Sequence, residues 1–203
     1  MPAARTPRTE RTRAKILAAA KRVLANGDGK LEMSVMAKAA GVSHGAAYHH
    51  FGSKEGLLCA VVEDFYDRLE SDVLLAKLET HEDWETRERE RVRRYIVFLL
   101  SDPVGRIVQS LAHSPSVAAV ESKRWSRLIS VGAKNVAQGK RNGSVTARQR
   151  SELLAAMLLG AARSAVAVAM ESSKDPVPDR LTDQIWVFLR RGLALRSSNE
   201  PAP

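Results

Sequence analysis

The chain has 203 residues, of which 44% are hydrophobic and 27% are charged, and its formal net charge is +9. This is an ordinary soluble globular composition, and the single cysteine excludes an intramolecular disulfide and favours a reducing compartment. No signal-peptide pattern opens the chain, and its longest apolar stretch, residues 157–170, falls short of the roughly 20 residues that span a bilayer. We therefore expect a soluble, cytoplasmic protein without a membrane partner.

Basic residues are concentrated near the N-terminus. Residues 1–54 carry a net charge of +7, whereas the rest of the chain carries +2. Such asymmetry indicates a polyanionic partner, because neutralisation of phosphates is the sequence-independent part of nucleic-acid binding. The alternative is a solvated basic arm that improves solubility, and charge alone does not separate the two.

Helical spacing of apolar residues dominates the first third of the chain. Each short segment begins at a capping residue and ends at a glycine, as helices commonly do. The predicted segments are a flexible arm over residues 1–8, a helix over 11–25, a helix over 34–40 capped by Ser34, a helix over 43–51 capped by Ser43, and a long helix that follows Ser53.

The remainder also follows helical periodicity, and no run of alternating β-branched residues predicts a strand. We therefore predict an all-α protein in which an N-terminal three-helix unit is followed by a helical bundle. The predicted bundle helices cover residues 83–100, a shorter segment opened by residues 101–103, and residues 116–138, 146–172 and 179–195.

The most informative stretch is residues 34–54, which has the pattern of a helix-turn-helix. Ala37 is small where two helices must approach, Gly41 supplies the turn, and Val42 is placed behind that turn. Ser43 would satisfy free N–H groups at the start of the second helix, the end that enters a major groove. An ordinary pair of core helices would show a similar pattern, but here it coincides with the charge asymmetry.

Three segments, residues 16–24, 34–51 and 53–58, resemble in order and interval the DNA-binding domain of the tetracycline-repressor (TetR) family. The resemblance implies a transcription regulator with a DNA-binding domain at residues 1–54 and a helical effector-binding and dimerisation domain at 55–203. It also implies a repressor that a small molecule releases from its operator.

The resemblance places DNA contacts at specific positions. Ala46 departs from the family, which more often has a hydroxyl there, so it can contact a thymine methyl but cannot hydrogen-bond a base edge. Ser34, Tyr48, His49 and Lys54 would contact phosphates, and the groove-facing set would be Ser43, His44, Gly45 and Ala46.

The last two predicted helices expose more apolar surface than one bundle needs. Residues 146–172 are apolar on nearly every side from Leu153 onward, and small residues such as Ala161 and Ala165 permit close approach of another helix. We therefore expect a homodimer that places two recognition helices about 34 Å apart on a pseudo-palindromic operator. The alternative is that these helices fill the protein's own core.

A small-molecule site would lie among the middle helices. Most of its candidate residues are as consistent with core packing, but Arg163 in an apolar helix needs a partner, either an acidic ligand or a nearby Asp or Glu. The candidate ligand-binding residues are Tyr95, Phe98, Ile107, Leu111, His113, Trp125, Ile129, Met157 and Arg163.

The sequence offers little for an enzyme. The histidines at 44, 49 and 50 lack the i, i+4 spacing that metal ligands use on a helix, and phosphate-cradling glycine loops are absent from the sequence. We predict no metal and no cofactor. Two alternatives stay open: a DNA-binding protein of the same fold without a small-molecule ligand, and an activator instead of a repressor.

Overall fold

The computed structural model describes residues 7–27, 29–78, 83–111, 114–172 and 176–195. These residues form helices and turns without a β-strand, which confirms the all-α prediction, and one isolated antiparallel bridge joins Val145 and Leu195. A π-helical turn at Glu70–Leu74 and a 3-10 turn at Val108–Leu111 complete the regular structure. The α-helices are α1 Pro7–Asn26, α2 Met33–Ala40, α3 His44–Phe51, α4 Lys54–Leu69, α5 Trp84–Ser101, α6 Pro115–Arg141, α7 Ser151–Ser172 and α8 Pro178–Gly192.

Several predicted boundaries were wrong. Ser34 does not cap α2, because Glu32 occupies the cap position and α2 already begins at Met33. Of the arm predicted over residues 1–8, residues 1–6 lie outside the described part, and α1 begins at Pro7, since proline is tolerated in a first turn. The helix predicted from residue 101 is a series of turns before the 3-10 turn, where the Asp102 carboxylate accepts a hydrogen bond from Val104 N at 2.8 Å.

The start of α7 was also mispredicted, because residues 146–150 are not helical. Thr146 Oγ1 donates to Ala194 O at 2.6 Å, and Ala147 N donates to Leu193 O at 3.3 Å. Both bonds join residues 146–147 to the residues that follow α8, and the second uses a backbone N–H that a helix would otherwise use. The helix therefore begins later, at Ser151.

The chain forms two compact units. The first contains residues 1–67 and Asp102–Arg124, and the second contains Arg68–Ser101 and Trp125–Pro203, as far as these ranges are described. Both α4 and α6 continue from one unit into the other. The predicted boundary between the DNA-binding and effector-binding domains, after residue 54, falls inside the first compact unit. It stays a prediction about which residues have which function, because it does not coincide with the boundary between the two units.

The core of the first unit lies where α1, α2 and α3 pack together. Ile16, Ala20 and Leu24 follow one another at intervals of four residues in α1, and all three are fully buried. Met36 of α2 and Ala47 of α3 are also fully buried. Burial of a large aliphatic side chain contributes roughly 2 kcal/mol, so this apolar stripe is what holds the three short helices together.

The second unit is built around a buried tryptophan. Trp84 is 3% exposed, its Nε1 donates to Asn135 O at 3.1 Å, and it packs with Leu154 and Leu193 in an apolar cluster. A Cβ added to Gly139 would lie 2.7 Å from the Trp84 ring, so α6 needs glycine where the indole crosses it. The helix predicted over residues 116–138 is therefore longer than expected, because α6 continues to Arg141.

Ion pairs connect α5 with α8 on the surface of the second unit. Arg89, Arg93 and Glu85 of α5 pair with acidic or basic side chains of α8 at 2.5 to 2.7 Å. Exposed pairs of this kind contribute little, usually below about 1 kcal/mol each. They fix which side of α5 faces α8 more than they stabilise the fold.

Helix α7 is long and apolar enough to cross a membrane by length and composition, and 22% of its most apolar window is buried. It extends beyond the apolar stretch that the sequence indicated, because the helix includes polar residues at both ends. The same properties are typical of a helix that packs against another protein surface, so this feature is weak evidence for a membrane.

Candidate nucleic-acid interface

A left-handed glycine sets the angle between α2 and α3. Gly41 has φ 66° and ψ 36°, a conformation that costs little for glycine and more for residues with a Cβ. Its N–H donates to Lys38 O at 3.1 Å, and Val42 N donates to Ala37 O at 3.1 Å. These bonds end α2 and confirm the turn predicted from the sequence.

The start of α3 is fixed by a side-chain cap. Ser43 Oγ accepts a hydrogen bond from Ala46 N at 3.1 Å, as predicted. One turn along, Ala47 is fully buried and holds α3 against the other two helices. Because Ala47 faces inward, the residues on the opposite side of α3 face the solvent.

The exposed side of α3 carries the predicted DNA contacts. His44, Gly45, Tyr48 and His49 are all exposed, and the rings of His44 and Tyr48 meet edge to face with centroids 5.0 Å apart. Ala46 is half-buried. The structure therefore brings five of the eight predicted residues onto one eight-residue helix, in the stripe that a groove-binding helix requires.

The other three predicted contacts flank this helix. Ser34 lies exposed in the first turn of α2, Ser43 lies exposed at the cap of α3, and Lys54 is the exposed first residue of α4. Ser53 Oγ accepts from Gly56 N at 2.9 Å, which caps α4 and places Lys54 at a helix N-terminus. Free N–H groups and the helix dipole at such an end favour an anion.

One contact in this unit was not predicted. The guanidinium of Arg13 in α1 lies 4.9 Å from the ring centroid of Phe51, the last residue of α3. This cation–π contact fixes the C-terminal end of α3 against α1. The pairing of an arginine and an aromatic residue 38 positions apart leaves no local signal in a sequence.

Helix α4 is connected to the first half of α6 within the same unit. Hydrogen bonds from the hydroxyls of Ser114 and Ser116 lower the pKa of the Glu55 carboxyl. Tyr66 OH donates to Glu121 at 3.0 Å, and Arg124 pairs with Asp67. Polar contacts therefore follow the two helices over nearly three turns of α4.

The second unit contains a partly open cavity of about 80 Å³, which is lined by residues of α5, α6, α7 and α8 and by Leu74 of the π-helical turn. Its lining is mainly apolar and aromatic, with Trp84 and Trp186 among the walls, and the polar exceptions include Glu88, Arg91 and Tyr95. Burial raises the pKa of Glu88, against the opposing effect of the neighbouring Arg91. Sequence reasoning missed Glu88 and Arg91, because an i, i+3 pair on a charged helix is usually a surface pair.

Of the described residues predicted to bind a ligand, Tyr95 lines this cavity and the others do not. The guanidinium carbon of Arg68 lies 5.6 Å from the ring centroid of Phe98, and that of Arg163 lies 4.6 Å from the ring centroid of Trp125. Arg163 therefore forms a cation–π contact with Trp125. In the second unit, Met157 is 48% exposed and Ile129 is half-buried. In the first unit, Ile107 is half-buried and Leu111 is buried. His113 lies outside the described residues.

The second unit also presents an apolar face on α7 and α8. Phe188 is 66% exposed and Val168 is 60% exposed, and both border a shallow groove with Ala161, Ala165 and Ile185. Small residues of α7 line one side of the groove, as the sequence indicated. Exposed apolar surface of this kind marks an interaction site more often than a solvated surface.

Comparison with known proteins agrees with this geometry. Residues 16–61 match the model of the bacterial regulatory proteins of the tetR family. A sequence comparison with curated proteins found no match.

Solved structures extend the similarity to nearly the whole chain. A TetR-family transcriptional regulator from Pectobacterium atrosepticum is 28% identical, with a TM-score of 0.71 over 98% of this chain and 100% of that one. The fatty acid degradation regulator FadR from Bacillus halodurans is 21% identical, with a TM-score of 0.75 over 96% and 100%. NalD of Pseudomonas aeruginosa, described as a secondary repressor of a multidrug efflux pump, is 16% identical, with a TM-score of 0.69 over 95% and 100%.

The matched model covers α1 from Ile16, all of α2 and α3, and the first half of α4. It therefore includes the turn at Gly41 and every predicted DNA contact. Members of this family are DNA-binding transcription regulators and not enzymes. Residues 16–61 are therefore similar to the bacterial regulatory proteins of the tetR family, and the chain as a whole is similar to a TetR-family transcriptional regulator.

Proposed function

We propose that this protein is a cytoplasmic repressor that binds a pseudo-palindromic operator as a homodimer and leaves it when a small molecule binds. The observation that carries the proposal is the exposed side of α3, which presents four of the predicted contacts, with half-buried Ala46 beside them, inside the segment that matches the family model. The two domains are then residues 1–54 for DNA binding and 55–203 for effector binding and dimerisation.

The exposed side of α3 supports groove binding by small side chains. Gly45 and Ala46 let the helix approach base edges closely, and Ala46 can contact a thymine methyl. His44, the exposed residue after the cap, is the group best placed to hydrogen-bond a base edge. Specificity would then rest on His44 together with the shape of the DNA.

Phosphate contacts would surround these base contacts. Ser34, Tyr48, His49 and Lys54 are all exposed around α3 and carry hydroxyl, imidazole or ammonium donors. Contacts of this type set the register of the protein on the duplex and carry no base information. They would also give operator binding a steep dependence on salt.

The homodimer would form through the apolar face of α7 and α8. One short recognition helix reads few bases, so two copies related by a two-fold axis are needed for useful affinity. An isologous interface of two helices from each copy would cover Phe188 and Val168, which water contacts in the single chain.

Release by a ligand requires a connection between the cavity and the DNA-binding unit. Helix α6 supplies one, since Glu121 and Arg124 in its first half contact α4, and Gly132 and Asn135 in its second half line the cavity. A ligand that displaces this helix would change the position of α4, to which Lys54 belongs. Such a ligand must bind the released state more tightly than the DNA-bound state.

A second candidate is a regulator of the same fold without a small-molecule effector. The observation that favours it is the size of the cavity, because about 80 Å³ is well below the roughly 300–1,000 Å³ of ordinary ligand sites. A saturable effect of a small molecule on operator affinity would exclude this candidate.

The first experiment is titration of the purified protein against the DNA that flanks its own gene, at two salt concentrations, with a random duplex of equal length as control. Tight, saturable binding of two protomers per site, well above the control, is expected. Equal affinity for the random duplex, with only a steep salt slope, would contradict sequence-specific regulation.

Two variants separate the proposed roles. His44→Ala should weaken binding to the operator by about 5- to 100-fold and leave binding to the random duplex nearly unchanged. Lys54→Ala should weaken both and reduce the salt slope by about 1. Lys134→Ala removes the same charge from an exposed site in the second unit and should change neither. Equal losses on both duplexes for His44→Ala and Lys54→Ala would contradict these assignments.

A further inference from the structure

The cavity of the second unit contains a neutralised ion pair. Arg91 Nε donates to both carboxylate oxygens of Glu88, at 3.2 and 3.3 Å. Its Nη1 donates to the carbonyls of Val73 and Leu74, at 3.1 and 3.0 Å. The guanidinium is thus held by the carboxylate and by backbone oxygens, and it contributes no uncompensated positive charge to the cavity.

This pair disfavours ligands of either charge. An anion would approach the Glu88 carboxylate, and a cation would approach the Arg91 guanidinium, while each would lose its hydration among apolar walls. Burial raises the pKa of Glu88, which agrees with surroundings that penalise charge. Arg163, the residue that the sequence offered as a partner for an acidic ligand, is not part of the lining.

Tyr95 and Asn135 are uncharged polar residues of the lining. The Tyr95 side chain is 4% exposed and carries a hydroxyl that can donate a hydrogen bond. Burial raises the pKa of this phenol, and the opposing effect of Arg163 is smaller, so the hydroxyl keeps its proton at neutral pH. A ligand with an acceptor placed against this hydroxyl would gain a hydrogen bond among apolar walls.

We propose that the cavity binds an uncharged, largely apolar molecule with one hydrogen-bond acceptor, such as a carbonyl oxygen, that receives a hydrogen bond from the Tyr95 hydroxyl. Trp84 and Trp186 among the walls favour a flat or cyclic skeleton. This inference rests on the proposed function in one respect only, namely that the bound molecule is the effector.

The size of the cavity adds a mechanical consequence. A cavity of about 150 Å³ is known to admit benzene, whereas this one measures about 80 Å³. Full enclosure of a one-ring molecule therefore requires a wall to move. Gly132 of α6 faces Ala155 and Leu159 of α7 across a short gap, so separation of these two helices would provide the space. Binding would then displace the helix that continues to the contacts with α4.

The test compares four one-ring molecules that differ in polarity at a single group. Acetophenone carries the acceptor, α-methylstyrene has CH₂ in place of its oxygen, benzoate is an anion, and benzamidine is a cation. Each is titrated calorimetrically into the full-length protein without DNA. We expect acetophenone to bind about tenfold more tightly than α-methylstyrene, and the two ions to bind more weakly than both.

Tyr95→Phe keeps the ring and removes the donor. It should weaken acetophenone to the affinity of α-methylstyrene, and it should leave α-methylstyrene itself unchanged. The matched control is Tyr66→Phe, which removes a buried hydroxyl bonded to Glu121 in the first unit and should preserve the tenfold preference. Unfolding curves of both variants verify that they fold.

Several outcomes would overturn the inference. Equal affinity for acetophenone and α-methylstyrene, preference for benzoate or benzamidine, or retention of the acetophenone preference in Tyr95→Phe would each contradict it. Absence of binding by all four would also contradict it. Because no DNA is present, none of these results bears on operator binding, which the duplex titration tests separately.

Discussion

The exposed side of α3 and the exposed face of α7 and α8 are both unpartnered in the single chain, but their chemistry is opposite. On α3 the exposed residues are His44, Gly45, Tyr48 and His49, which are small or carry polar donors. On α8 Phe188 is 66% exposed and has apolar neighbours on α7. The first surface suits a hydrated polyanion, and the second suits an apolar surface such as its own copy. Exposure therefore indicates a partner in both cases, and side-chain polarity indicates which kind.

The two surfaces also differ in what builds them. The turn before α3 and the cap of α3 depend on bonds between residues at most five apart, such as Ser43 Oγ with Ala46 N and Val42 N with Ala37 O. The second unit depends on contacts such as Trp84 with Asn135, which lie 51 positions apart. The start of α3 is therefore encoded locally, whereas the second unit depends on the assembled bundle.

The largest effect is expected from a charge on the apolar face. Phe188→Asp should convert the proposed dimer to a monomer and weaken operator binding by at least about 100-fold, because a buried charge without a partner opposes association. Sedimentation and duplex titration measure both quantities.

The matched control for this change is Leu75→Asp. Leu75 is 57% exposed and follows the π-helical turn, away from the residues that line the groove. This variant should leave both the dimer and operator binding intact. A Phe188→Asp protein that remains dimeric would show that another surface forms the dimer.

The second prediction concerns the packing of the bundle. Gly139→Ala should lower the free energy of unfolding by about 1–3 kcal/mol, since the new Cβ would overlap the Trp84 ring and Val145. Gly192→Ala adds the same methyl group at the end of α8, where nothing lies within 4 Å, and should change stability by a few tenths of a kcal/mol at most. Denaturant unfolding of the two variants gives the comparison, and equal values would refute a steric cause.

The third prediction concerns the turn of the helix-turn-helix. Gly41→Ala should lower the free energy of unfolding by about 1 kcal/mol through the left-handed backbone alone, because a Cβ there would meet nothing within 4 Å. Gly45→Ala in α3 lacks the positive φ and should raise stability by about 0.5–1 kcal/mol. Thermal unfolding distinguishes them, and a loss for both would mean that space, not φ, is limiting.

The smallest effect is expected at the start of α5, and it depends on pH. Asp83 accepts hydrogen bonds from Thr86 N at 3.0 Å and Thr86 Oγ1 at 3.1 Å, and the backbone bond is the main cause of its lowered pKa. A lowered pKa means that the carboxylate stabilises the fold above the ordinary carboxyl pKa and loses this effect as pH falls through the lowered value.

Asp83→Ala should therefore cost up to about 1 kcal/mol at pH 7, and the difference from the unmodified protein should shrink in acid. Asp83→Asn keeps an acceptor at every pH, so its stability relative to Asp83→Ala should not depend on pH. Urea unfolding over a pH series measures these differences, and a difference for Asp83→Ala that grows in acid would reverse the assigned sign.

The contrast between the two surfaces explains what could be predicted. The cap at Ser43 and the turn at Gly41 were predicted correctly, whereas Ser34 was mistaken for a cap. The eight DNA contacts stay predictions. Of the described residues predicted to bind a ligand, Tyr95 alone lines the cavity, and their role stays a prediction. Helical spacing shows that Trp125 or Met157 lies on an apolar stripe, but not whether that stripe meets a cavity, a neighbour or the solvent.

The sequence by itself determined the helical class and the basic N-terminal unit, and it predicted that α3 is the recognition helix. These follow from capping residues, glycine and charge, whose effects extend over a few positions of the chain. The tertiary structure alone decided that Gly139 accommodates Trp84, that the pair of Glu88 and Arg91 is partly buried, and that Phe188 is left exposed. The physical reason is that burial and pairing are set by residues tens of positions away, which the assembled bundle brings together.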